Sequence, residues 1–174
     1  WWGQERFEDR SVHLLMDVMR DHDIRVTFHL EPYGPNRAEQ FSSDIMYLFR
    51  EYGEKRGWDC FLLHQWADGS TGPVVKLFNS LVPEHIVDCR GRTVRLGDYV
   101  SEDTWRRVTE EVHRVFRDDF DHVTILSECP DADKVRAAGF DGLSIYGPDS
   151  PSENWLDWAL EASRKDRVFA FNIN

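Results

Sequence analysis

The sequence is poor in cysteine, in positive charge and in long apolar runs, and each shortage excludes something. Its three cysteines, Cys60, Cys89 and Cys129, are odd in number and include no Cys-x-x-Cys pair, so neither a disulfide framework nor a zinc knuckle or dithiol redox motif is expected. Unpaired thiols fit the cytoplasm but also occur in processed secreted enzymes, which leaves the compartment open. Lys plus Arg number 21 against 32 Asp plus Glu, a net charge of −11. A field of that sign repels phosphate backbones and anionic lipid, so neither nucleic acid nor a membrane is an expected partner. No stretch approaches the roughly 18 apolar residues of a membrane span, and the N-terminus lacks the basic and apolar regions of a secretory signal. The chain reads as soluble.

What is present suits a packed core: 41% hydrophobic and 13% aromatic residues in 174 support one domain spanning 1–174, since no repeat, low-complexity tract or linker interrupts it. Val12, Leu15, Met16 and Met19 recur at helical spacing within residues 8–22, and residues 24–31 (IRVTFHLE) then turn β-branched and alternating before the stop at Pro32 and Gly34. A second helix is expected over 37–52, a second strand over 59–65 (DCFLLHQ), and a hairpin-like return through 74–78 after the turn chemistry of 67–72. Gly91 lies in a polar loop. Ser101 caps a helix bearing Val108, Val112, Val115 and Phe116, a strand follows at 121–128, a short helix runs from Asp131 to a left-handed cap at Gly139, and 140–146 (FDGLSIY) is strand. Ser152 caps the last helix, with Trp155 and Leu156, before a final strand at 167–174.

Helix and strand alternate with crossovers of one to two dozen residues, which is α/β with a parallel sheet. About five parallel strands could form an open doubly wound sheet, but no Gly-x-Gly-x-x-Gly or Walker-type loop follows any strand, so a nucleotide site has no support. The expectation is a (β/α)8 TIM-barrel-like fold, partial, with a hairpin-like insertion. Complete barrels take about 250 residues, and the chain starts Trp1-Trp2 and stops within a strand-like run, so truncation at one or both ends is expected.

Barrel chemistry gathers at the C-terminal ends of the strands. His29 and Glu31 share one strand face by the period of two. An imidazole and a carboxylate there are either a loop-holding ion pair or substrate contacts, and the cost of burying them without a partner favours the second. The expected second strand ends His64-Gln65-Trp66. A donor, an amide and a flat ring together suit sugars, whose hydroxyls need directional hydrogen bonds while their C–H faces stack on aromatics. Trp66 reads equally as a loop-packing ring, and Trp58, Trp105, Trp155 and Trp158 read as packing. Glu128 is a third candidate carboxylate, and Asn172 and Asn174 could face the same rim. His29, Glu31 and His64 are acceptable metal-ligand types, but no His-x-His or His-Glu-x-x-His signature accompanies them, so no metal and no other cofactor is expected.

Trp1-Trp2-Gly3, His29-Leu30-Glu31-Pro32-Tyr33 after an amphipathic helix, and Gly139-Phe140-Asp141-Gly142 before an aromatic-ended strand together resemble the endo-α-mannosidase family, glycoside hydrolase family 99. The resemblance implies a (β/α)8 barrel that cleaves α-mannosides within a glycan, retaining configuration and needing no metal. It further implies a substrate-assisted route in which one carboxylate deprotonates the sugar's own 2-hydroxyl to give an anhydro-sugar and another serves as acid and base. This departs from the ordinary two-carboxylate route. By the same resemblance His29, Glu31 and Tyr33 contact sugar and Trp2 walls the pocket. The family's catalytic carboxylates lie in a Glu-Trp-His-Glu string absent from these residues, so no catalytic residue is assigned; Phe78-Asn79-Ser80-Leu81 also replaces the family's aromatic-Asp-Ser-Tyr. The expected function is a glycoside hydrolase-like protein acting on α-mannose-containing glycans, with a glycan or oligosaccharide as partner. A non-catalytic glycan-binding or inactive remnant is the alternative, and a metal-dependent barrel hydrolase is weaker.

Overall fold

A computed structural model describes residues 3–145 and 154–171. Trp1, Trp2, Tyr146, Ser152, Asn172 and Asn174, singled out above, lie outside them. Eight strands and five α-helices are described, in the order α1 (Phe7–Asp21), β1 (Phe28–Leu30), α2 (Arg37–Leu48), β2 (Leu63–Gln65), β3 (Thr71–Leu77), β4 (His85–Val87), β5 (Thr93–Arg95), α3 (Glu102–Val115), β6 (Thr124–Ser127), α4 (Ala132–Ala137), β7 (Gly142–Ile145), α5 (Trp155–Arg164) and β8 (Val168–Phe171). A π-helical turn, Phe49–Glu54, continues α2, and a 3-10 turn, Trp58–Cys60, precedes β2.

The main sheet runs β1-β3-β6-β7-β8, with every neighbouring pair parallel. This order never reverses. A doubly wound sheet reverses at its switch point, whereas a barrel adds each strand beside the last, so the sheet is the partial barrel expected from the sequence. The local signals act as expected: Ser101 Oγ accepts from the Thr104 N–H at 3.3 Å to cap α3, Asp131 caps α4, and Gly139 ends α4 at φ +76°. The second-strand assignment is corrected. Residues 58–60 are a 3-10 turn, and β2 is a short arm antiparallel to β3, which is itself the second parallel strand. The polar loop around Gly91 is the turn of an antiparallel β4–β5 ribbon.

Helices cover one face of the sheet. Phe28, Leu30, Val75, Leu77, Ile125 and Leu143 alternate along their strands towards that face and join one buried cluster with Phe41, Ile45 and Leu48 of α2 and Trp105, Val108 and Val112 of α3. The intervening residues His29, Val74, Lys76, Leu126 and Ser144 take the other face, which is the interior in a closed barrel. Among the described residues, no helix is long and apolar enough to cross a membrane.

Two polar details tie the helices down. Asp9, buried in α1, accepts the Tyr52 hydroxyl at 2.7 Å, the Tyr47 hydroxyl at 2.9 Å and the Glu5 N–H at 2.8 Å. Asp44 in α2 is also buried, and burial, with Asp9's charge adding, pushes its carboxyl up to about 6 against hydrogen bonds from Gln4 and Gln40. The folded chain therefore holds this proton more tightly than the unfolded one, and its contribution to stability is lost as pH rises from about 4 to about 6. Asp44→Asn should remove that slope in denaturant titrations and raise stability at pH 7 by about 2 kcal/mol. A variant less stable at pH 7, with the slope intact, would contradict this account. Gly72 of β3 leaves no room for a side chain, since a Cβ there would stand 1.5 Å from the His122 carbonyl oxygen. Gly72→Ala should cost about 3 kcal/mol or more in urea unfolding.

Candidate functional site

Strand register builds a polar row just past the C-terminal end of the sheet. Leu30 pairs with Leu77, and Leu77 with Ser127. The next residues along the three strands are Glu31, Phe78 and Glu128. The Phe78 N–H donates to the Leu30 carbonyl at 2.9 Å and the Glu128 N–H to the Leu77 carbonyl at 3.0 Å, so the ladder continues into this row. By alternation it faces the same side as His29 and Lys76, which pair with each other one step below.

Each group in the row is held. The Tyr33 hydroxyl donates to Glu31 Oε2 at 2.7 Å, and the Asn79 N–H donates to Glu128 Oε2 at 3.1 Å. The His29 ring lies 5.9 Å from that of Phe78. Arg37 Nη2 donates to the Phe78 carbonyl at 3.0 Å, and Ser80 Oγ and Ser127 Oγ share a 2.6 Å hydrogen bond, which fixes the loop after β3. Burial pushes the His29 imidazole below its usual range, opposed by Glu31's charge, so it is neutral at pH 7 and can both donate and accept. Burial raises the Glu128 carboxyl; the Asn79 N–H opposes this and the nearby Glu31 charge adds to it. Burial also lowers the Lys76 ammonium. A neutral imidazole, two carboxylates, a phenol, an ammonium and an aromatic ring on one rim offer directional hydrogen bonds and a stacking surface.

The sequence-predicted site residues separate into two groups. His29, Glu31, Tyr33 and Glu128 come together at this rim. His64 and Trp66 do not. His64 pairs with Gly72 whereas His29 pairs with Lys76, four residues further along β3, about 13 Å at strand rise. Trp66 Nε1 donates to Thr124 Oγ1 at the start of β6, and its ring stands edge-on to His122 at 5.3 Å. The hairpin thus points to the N-terminal end of the strands, where His64, Trp66, Asp68, His122, Asp141 and Arg167 line a cavity of about 690 Å³. The trio His29, Glu31 and His64 considered for a metal is therefore not assembled. Trp2 lies outside the described residues. Sequence reasoning missed Lys76, although a lone charge in the apolar run Val74-Val75-Lys76-Leu77-Phe78 was a signal for it.

A partial parallel barrel with a polar rim at its strand ends defines the class. Within it, residues 1–61 match the family model described as glycosyl hydrolase family 99, which bears out the family resemblance over that stretch. No curated protein matches the sequence. The fold is similar to that of the GH99 endo-alpha-mannosidase from Bacteroides thetaiotaomicron at TM-score 0.68 and 16% identity, covering 98% of this chain and 46% of that one. The same enzyme in complex with BIS-TRIS-propane matches at TM-score 0.67 and 17% identity, covering 98% and 49%. The chain spans about half the length of these structures.

If Glu31 and Glu128 share one field, the Glu128 carboxyl titrates above the ordinary glutamate range, and Glu31→Gln moves it down. Carboxyl-carbon NMR titrations of the two proteins measure this directly, and an unmoved Glu128 would separate the two groups.

Proposed function

We propose that this chain supplies the sugar-holding rim of a barrel glycoside hydrolase acting on α-mannose-containing glycans, with retention of configuration and without a metal. The observation carrying this reading is the row Glu31-Phe78-Glu128 over His29, with Glu31 held by Tyr33. His29, Glu31 and Tyr33 stand in the segment that matches the family model, and Phe78 and Glu128 lie beyond it. Glu31 would accept sugar hydroxyls, neutral His29 would donate to one and accept from another, and Phe78 would meet the sugar's C–H face.

A second reading, glycan binding without cleavage, is favoured by one feature: no Glu-Trp-His-Glu string occurs among the 174 residues. Calorimetry with α-linked mannobiose and mannotetraose tests the shared part of both readings. Glu31→Ala and His29→Ala should each weaken binding about 10-fold or more, the scale of a lost charged or buried hydrogen bond. Unchanged affinity in both variants would remove the pocket from consideration. Reducing-end release, with the first-formed anomer read by proton NMR, then divides the readings: an α product supports retaining cleavage, and binding without release supports the second.

A further inference from the structure

At the opposite end of the strands, three side chains from three separate elements meet around one carboxylate. His113 projects from α3, His122 from the turn before β6, and Asp141 from the residue before β7. His113 Nε2 lies 3.2 Å from Asp141 Oδ2, and His122 Nε2 lies 2.8 Å from Asp141 Oδ1. The Asp141 side chain is 9% exposed, those of His113 and His122 25% and 30%. Both imidazoles present the same nitrogen to the same carboxylate, and the three ligand atoms lie within 4.8 Å of one another. Two further groups complete the surroundings: the Ile125 N–H donates to Asp141 Oδ2 at 2.9 Å, and the Val123 carbonyl lies 2.9 Å from His113 Nε2.

We propose that His113, His122 and Asp141 form a structural binding site for a divalent transition metal, with Zn²⁺ the best match. Two imidazole nitrogens and one carboxylate oxygen are the donor set zinc takes. Bonds of about 2.0–2.1 Å to a tetrahedral ion set neighbouring ligand atoms about 3.3 Å apart; here each imidazole nitrogen lies 2.8 or 3.2 Å from its own oxygen of the Asp141 carboxylate, and one ligand atom from each of the three residues falls within 4.8 Å of the others. Small shifts accommodate the ion. The Ile125 N–H remains on the carboxylate as the outer hydrogen bond that orients a ligand. His122 and Asp141 also line the 690 Å³ cavity, which leaves a fourth position for water. The ion takes the lone pair on Nε2 of a neutral imidazole, so each ring carries its proton on Nδ1 when the metal is bound.

The site's place argues for a clip rather than catalysis. It joins α3 to the starts of β6 and β7 at the N-terminal end of the sheet, where barrels carry stability rather than chemistry. A ligand that binds the folded chain and not the unfolded one raises the unfolding temperature. The inference is independent of the mannoside reading, because the two sites lie at opposite ends of β3 and no residue is shared.

The test is equilibrium dialysis of chelator-stripped protein against ZnCl2, with thermal unfolding followed in parallel. One equivalent per chain and a rise in unfolding temperature are expected, with affinity lowered about 100-fold by His122→Ala and unaltered by Glu31→Ala. Absence of stoichiometric zinc, or binding that survives His122→Ala unchanged, overturns the proposal. Should His122→Ala fail to fold, proton NMR of the wild type decides: zinc must shift the ring signals of His113 and His122 and spare those of His29, and any other pattern overturns it.

Discussion

Backbone pairing along Thr71–Leu77 is the constraint on which the rest depends. This strand is hydrogen-bonded in parallel to β1 on one side and β6 on the other, and its first three residues also take the antiparallel arm β2. Its register decides which residue of each neighbour stands at the rim. Val75 and Leu77 are buried beneath α2 and α3, so the strand cannot slip by one residue without turning Lys76 into the helices and two apolar side chains out of them. The polar row at one end and the His-Asp-His cluster at the other are held in place by the same hydrogen-bond ladder.

The two ends are electrostatically different. At the rim, carboxylates stand near one another beside a neutral imidazole and a partly desolvated ammonium, an arrangement that favours exchange of hydrogen bonds with a ligand. At the other end, Asp141 is pushed up by burial and down by two imidazoles, and the imidazoles win, leaving the carboxyl below the usual range. Its negative charge is therefore kept, and with it the hydrogen bonds that join α3, β6 and β7.

Much of the fold was legible because it rests on local rules. Amphipathic spacing marks α1, α2 and α3, capping residues mark the starts of α3 and α4, and a left-handed glycine marks the end of α4. What periodicity does not carry is strand direction. Residues 59–65 read as strand equally well in either sense, so the sequence placed His64 and Trp66 at the rim, and only the pairing of His64 with Gly72 puts them at the other end. His29, Glu31 and Tyr33 were legible because they lie within five residues of one another at a strand end. The cluster at Asp141 was not, since its members are separated in sequence and Gly-Phe-Asp-Gly also reads as a plain cap and strand start.

Gly72 and Lys76 sit on the same strand, yet they constrain the future of this sequence in opposite ways. At Gly72 the nearest neighbour is the main-chain oxygen of His122, and a peptide group cannot be swapped for a smaller one, so that position is closed to drift. Around Lys76 and His29 the neighbours include replaceable side chains such as Phe78. Substitution can therefore rework the rim one residue at a time while the far end stands still, and a barrel of this kind can acquire a new ligand preference without passing through an unfolded ancestor.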